Sequence, residues 1–251
     1  MFDLSMMEPT VPLVFVAAMI TALATGLGAL PLLAGRGVNG RWLGIGNAVA
    51  AGLMLAACYS LIVEGFEFSA LHTLGGVVAG VGLIMIANRW LKRHDGLSIA
   101  NVQGADATKV LLIIGIMTAH SAAEGVGVGV AYGGGRELGD FITIAIALHN
   151  VPEGLAIALI MVPRGATVTK AALWSIFSSL PQPLLAVPAF LFVLAFQPWL
   201  PVGLGLAAGA MLWMIFSELL PEASGDMGHE SLGAVVVLAF AAMLGVTLLL
   251  G

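Results

Sequence analysis

Two short stretches carry the residue types that can do chemistry: His120-Ser121-Ala122-Ala123-Glu124-Gly125 and, 29 positions on, His149-Asn150-Val151-Pro152-Glu153-Gly154. In each, His and Glu stand at i and i+4, so on a helix they share one face. Both stretches lie inside long apolar runs, 110–132 and 138–162. An ionisable group inside an apolar span is costly and points to function, with its partner nearby. Two imidazoles and two carboxylates make a mixed nitrogen and oxygen donor set. That set suits Zn²⁺, and also Fe²⁺, Mn²⁺, Co²⁺ or Cd²⁺, and it is not a soft thiolate site. Two carboxylates formally neutralise a divalent ion, which lowers the cost of holding it in a low dielectric.

The elements that must position these residues are membrane helices. Of 251 residues, 60% are hydrophobic and only 9% charged, with a mean hydropathy of +1.06, whereas a soluble domain carries roughly 25% charged residues. The apolar runs are continuous and do not alternate, which argues against a β-barrel. The reading is an all-α membrane protein, one integral domain over 1–251, with eight spans near 11–34, 41–63, 70–91, 109–132, 138–161, 170–196, 200–220 and 231–250. Eight of the nine basic residues (Arg36, Arg41, Arg89, Lys92, Arg93, Lys109, Arg164 and Lys170) then fall on one side, and only Arg136 on the other. Basic residues gather in cytoplasmic loops, so both termini are expected outside. The stretch Met1–Thr10 has no basic residue and does not read as a signal peptide.

An internal repeat accompanies this count. Ala50-Ala51-Gly52-Leu53-Met54-Leu55 in the second span recurs as Ala207-Ala208-Gly209-Ala210-Met211-Leu212 in the seventh, with Ser60 matching Ser217. The two spans run in opposite directions, so the copies are inverted, as in many transporters. At equal depth in antiparallel neighbours, the fourth and fifth spans bring His120, Glu124, His149 and Glu153 together near the bilayer centre. Pro152 breaks one backbone hydrogen bond there, and Gly125 and Gly154 allow neighbouring helices to approach closely.

These motifs resemble those of the ZIP (Zrt/Irt-like) family of divalent metal transporters, in a short prokaryotic-type form. The stretch from His149 to Gly154 matches the family's His-Asn-x-Pro-Glu-Gly pattern in full. The stretch from His120 to Gly125 departs from it, with Ser121 for Asn and Ala123 for Pro. The resemblance implies that His120, Glu124, His149 and Glu153 form the primary transport site and that the ion moves toward the cytoplasm. Met54 resembles a site-lining methionine of some members; packing or lipid contact is the other reading of it. In some relatives a second metal uses the residue after each His and an acid on the sixth span. The matching positions here are Ser121, Asn150 and Gln182, none of them charged, so one full site and at most a weak second one are expected. Gln182 either serves the site, as a hydrogen-bond donor or an oxygen ligand, or satisfies backbone freed by Pro181 and Pro183.

Other polar residues have ordinary readings beside functional ones. Glu64, Glu67 and His72 would gather cations at an entrance or simply face water. Glu218, Glu222, Asp226, His229 and Glu230 would form an exit relay or a solvated end. His94, Asp95 and Asp106 lie in a third loop that lacks a His-rich tract. Cys58 is the single cysteine, so neither a disulfide framework nor a Cys-rich metal site is expected. No phosphate-cradling motif points to ATP, and no enzymatic cofactor or nucleic-acid partner is expected. The cation is cargo, the other partner is the lipid bilayer, and a homodimer stays open. A multi-pass location in the cell (plasma or inner) membrane is the expectation. An intramembrane zinc metallohydrolase is the competing function. Catalytic zinc, however, wants three protein ligands and an open water position, and the sequence contains no His-Glu-x-x-His. A metal sensor without flux is a weaker third reading.

Overall fold

The computed structural model describes residues 8–34, 40–93 and 105–250. Arg36, His94 and Asp95 lie outside the described residues, as do the side chains of Lys92, Arg93, Asp106 and Lys109. Among the described residues there is no strand. The helices are α1 (Val11–Leu27), α2 (Gly40–Arg93), α3 (Ala105–Gly134), α4 (Arg136–Met161), α5 (Val168–Ser179), α6 (Pro181–Ala195), α7 (Leu200–Met214), α8 (Leu220–Asp226) and α9 (His229–Leu250). Among the described residues, six helical segments are long and apolar enough to cross a membrane, and α3 adds 30 residues of helix.

Local chemistry sets the ends. Thr10 caps α1 by accepting a hydrogen bond from the Leu13 amide, and Thr167 caps α5 by accepting from Lys170. Gly135, at φ +136°, makes the turn that sends α4 back along α3. Tyr132 locks this turn: its hydroxyl donates to Asp140 Oδ1 at 2.7 Å, and Arg136 pairs with Asp140 Oδ2 at 3.4 Å. Pro181 opens α6 after α5 has ended at Ser179, where its missing N–H costs nothing.

Helix α2 differs from expectation. The sequence suggests a loop between spans at 63 and 70, but the helix runs on through Glu64–Phe68 and breaks only at Ser69 (φ −170°, ψ 109°). Residues 64–68 contain no Pro, and their one glycine, Gly65, packs on the Thr73 side chain beyond the break. With no proline among residues 64–68 to break the helix, the α-helical hydrogen bonds continue up to the break at Ser69.

The helices sort into two bundles by what they touch. In one, α1, α3, α4, α5 and α6 pack together; in the other, α2 packs on α7, α8 and α9. The bundles meet where α2 lies on α4 and where α3 lies on α7. The Ala-Ala-Gly copies both sit in the second bundle. A Cβ on Gly52 would strike α9 at Ala239 and Phe240, and one on Gly209 would strike α2 at Val77, so each copy uses its glycine to admit a partner helix. Large apolar side chains such as Leu71, Val78, Ile86, Leu184 and Leu238 are exposed on the outer faces, as hydrocarbon-facing positions are.

Candidate metal centre

The α3–α4 hairpin carries both motifs into the first bundle. His120, Ser121 and Glu124 on α3, and His149, Asn150 and Glu153 on α4, are all buried. The glycine after each Glu sets how deeply they sit. A Cβ on Gly125 would lie 2.6 Å from the Gln182 carbonyl oxygen of α6, and one on Gly154 would overlap the Thr25 main chain of α1. The backbones of α6 and α1 therefore lie directly against the hairpin at the level of the carboxylates.

Glu124, His149 and Glu153 form one compact group, each offering a ligand atom within 4.8 Å of the others. His149 Nε2 lies 3.3 Å from Glu124 Oε1 and 3.1 Å from Glu153 Oε1. An imidazole nitrogen facing one oxygen from each of two carboxylates is the arrangement a divalent cation would need.

His120, the fourth residue of the expected set, is not in that compact group. Its Nε2 lies 3.1 Å from Glu218 Oε2, across the boundary between the bundles. Glu218 belongs to a π-helical stretch, Ile215–Leu219, that follows α7, a distortion frequent at functional sites.

Gln182, in the first turn of α6, donates through Nε2 to Glu124 Oε2 at 2.6 Å. Its Oε1 accepts from Thr21 Oγ1 at 2.5 Å and from Asn150 Nδ2 at 3.2 Å. The hydrogen-bond-donor reading of Gln182 is the one this geometry carries: the amide oxygen is turned toward donors, away from Glu124. Asn150 Nδ2 also donates to the Thr21 carbonyl at 2.7 Å. Ser121 Oγ lies 3.5 Å from Ser179 Oγ, which is itself 2.8 Å from Thr25 Oγ1. Met54 is fully buried among the apolar core residues of the bundle interior.

The lesser candidates separate. Glu64 lines a cavity of about 510 Å³ beside the α3–α4 turn, with Ser60, Arg136 and Glu137. Glu67 and His72 are not in its lining; His72 Nδ1 instead lies 2.8 Å from Ser69 Oγ at the helix break. At the other end, Glu218 Oε1 accepts from Asn88 at 2.9 Å and Glu222 Oε2 accepts from Asn47 at 3.0 Å. Asp226 closes α8, and His229 and Glu230 open α9. Sequence reasoning missed Thr21, Asn47 and Asn88. The two asparagines carried a usable signal, being amides inside apolar spans; a threonine in a span is too common to stand out.

An apolar helical bundle enclosing an imidazole between two carboxylates defines a polytopic membrane protein with a cation-sized polar group inside it. Comparison with known proteins makes the class specific. Residues 92–251 match the family described as ZIP Zinc transporter. Zinc transporter ZIPB of Bordetella bronchiseptica is 33% identical over 91% of this chain and 78% of its own length. Zinc transporter GufA of Myxococcus xanthus is 32% identical over 82% and 87%. A putative zinc transporter of Arabidopsis thaliana is 45% identical over 88% of this chain, which spans only 36% of that longer protein. The chain belongs to the ZIP zinc transporter family.

Proposed function

We propose that the chain carries divalent metal ions, zinc foremost, across the cell membrane toward the cytoplasm. The observation that carries this reading is the buried group of Glu124, His149 and Glu153, whose donor atoms suit one such ion. His120 is the fourth ligand, reached when its ring turns from Glu218. The ion is cargo and is released, so no resident cofactor is needed.

The membrane arrangement that serves this function has eight crossings and both termini outside. Helix α2 has 54 residues, about 80 Å if straight, against a hydrocarbon core of about 30 Å. The break at Ser69 supports two crossings there. Helices α1, α3, α4 and α9 supply one each, α5 with α6 another, and α7 with α8 the last. Arg136 at the α3–α4 turn then faces outside, opposite the other basic residues. The matched packing of Gly52 and Gly209 supports an inverted repeat, with two bundles that move against each other and His120 reaching from the site toward the second.

The test is uptake of Zn²⁺ by liposomes holding the purified full chain and a zinc-sensitive dye inside. Wild-type protein fills the liposomes, whereas Glu153→Ala and His149→Ala do not. Undiminished flux in either variant, or peptide cleavage without flux, would overturn the reading.

A further inference from the structure

Behind the cation group, a row of buried polar groups has only one consistent direction. It begins at the main-chain carbonyl of Thr21 on α1, which accepts hydrogen bonds and cannot donate them. Asn150 must therefore turn its Nδ2 toward that oxygen, at 2.7 Å. The second proton of the same Nδ2 goes to Gln182 Oε1, at 3.2 Å. With its oxygen committed to Asn150, Gln182 presents Nε2 to Glu124 Oε2, at 2.6 Å. Thr21, Asn150, Gln182 and Glu124 are all 0% exposed, so bulk water does not reach them to reverse the order. The Thr21 hydroxyl cannot set the direction by itself. It has one proton and two acceptors in reach, Gln182 Oε1 at 2.5 Å and the Ala18 carbonyl at 2.7 Å.

We infer that Asn150 and Gln182 are positioning residues that make Glu124 a one-oxygen ligand and thereby favour zinc over manganese. Glu124 Oε2 is taken by the Gln182 amide. Glu124 Oε1 has no hydrogen-bond donor among the described residues and faces His149. A carboxylate held this way is biased toward binding one ion through Oε1 alone, because the Gln182 amide occupies one of the two lone-pair sites on Oε2 and weakens that oxygen as a ligand. The coordination number stays low, which suits Zn²⁺ and Co²⁺ and penalises ions that need six or more oxygens, such as Mn²⁺. Asn150 and Gln182 thus act on the cation through Glu124 without touching it. The inference rests on the transport site proposed above.

Cobalt(II) bound to the detergent-solubilised full chain is the probe, because its visible absorption is strong at four-coordinate sites and weak at six-coordinate ones. Wild-type protein is expected to bind one Co²⁺ with the strong spectrum. Asn150→Leu removes the group that orients Gln182, and Gln182→Met removes the donor itself. Each should weaken the absorption several-fold as Glu124 gains a second coordinating oxygen. Each should also erode the Zn²⁺-over-Mn²⁺ preference by about 10–100-fold, the usual weight of an outer-sphere partner. Thr21→Val leaves the main-chain anchor in place and should preserve both spectrum and preference. A wild-type spectrum and preference in Asn150→Leu and Gln182→Met would overturn the inference, and so would an equal loss in Thr21→Val. Should His149→Ala and Glu153→Ala bind Co²⁺ with the wild-type spectrum, it is the transport-site reading that fails, whatever the Asn150 and Gln182 variants do.

Discussion

His120 and His149 occupy the same place in the same kind of motif, yet they have different partners. His149 lies between Glu124 and Glu153, inside one bundle. His120 faces Glu218, which belongs to the other bundle. The difference teaches that i, i+4 spacing delivers a ligand to a face but does not choose what it meets. That choice is made by the helices on either side, α1 and α6 behind the hairpin and the π-helical stretch after α7 in front of it. One histidine is thus built into the compact group, and the other spans the boundary along which the bundles meet.

The first way to break this comparison is to remove each histidine in turn. His149→Ala takes the only imidazole from the compact group. Zinc affinity should fall by more than the roughly 100-fold typical of losing an outer-sphere partner. His120→Ala removes the proposed fourth ligand but leaves that group whole, so a smaller loss than for His149→Ala is expected. Competition titration with a zinc chelator reads both, and equal losses would show that the resting geometry does not rank the two ligands.

A smaller effect is expected at the glycines. Gly154→Ala drives a methyl into the main chain of Thr25, and Gly125→Ala puts one 2.6 Å from the Gln182 carbonyl. Overpacking of this kind costs about 1–3 kcal/mol. Both melting temperatures should drop, with Gly154→Ala the lower because its clash is the closer. Gly46→Ala, whose added methyl would make ordinary contact with Pro152 at 3.4 Å, should melt close to wild type.

The smallest effect belongs to Glu218→Gln, which keeps the acceptor for Asn88 and removes the charge facing His120. Glu218 is partly exposed, so zinc affinity should stay within about threefold of wild type, on the order of 0.7 kcal/mol. A tenfold rise in affinity would mean that Glu218 competes with the cation for His120 more strongly than its exposure suggests.

Much of this was legible in the sequence because polar groups in apolar helices are conspicuous. The His and Glu of each motif and the close approaches at Gly125 and Gly154 follow from local rules, whereas the division of the expected 170–196 span into α5 and α6 at Pro181 was not read from the sequence. The turn between the fourth and fifth expected spans was legible too, though not the clamp of Tyr132 on Asp140 that fixes it at Gly135. The partner of His120 was not readable, since Glu218 lies 98 residues further along the chain (218 − 120) and only tertiary packing pairs them. Nor was the role of Thr21, which orients Asn150 through its main-chain oxygen, a group every residue possesses. The continuation of α2 to Ser69 was hidden as well, because the polar residues Glu64 and Glu67 read equally well as loop or as helix.

The hairpin has a consequence for how the protein is made. The compact group is contained in 30 consecutive residues, 124–153, closed by the clamped turn at Gly135. Synthesis proceeds from the N-terminus at about 5–20 residues per second, so Glu124, His149 and Glu153 leave the ribosome before Gln182 and well before Glu218. For several seconds the nascent chain holds the three residues of the compact group without the amide that donates to Glu124 or the carboxylate that engages His120. The order of emergence thus separates the building of the compact group from its final adjustment.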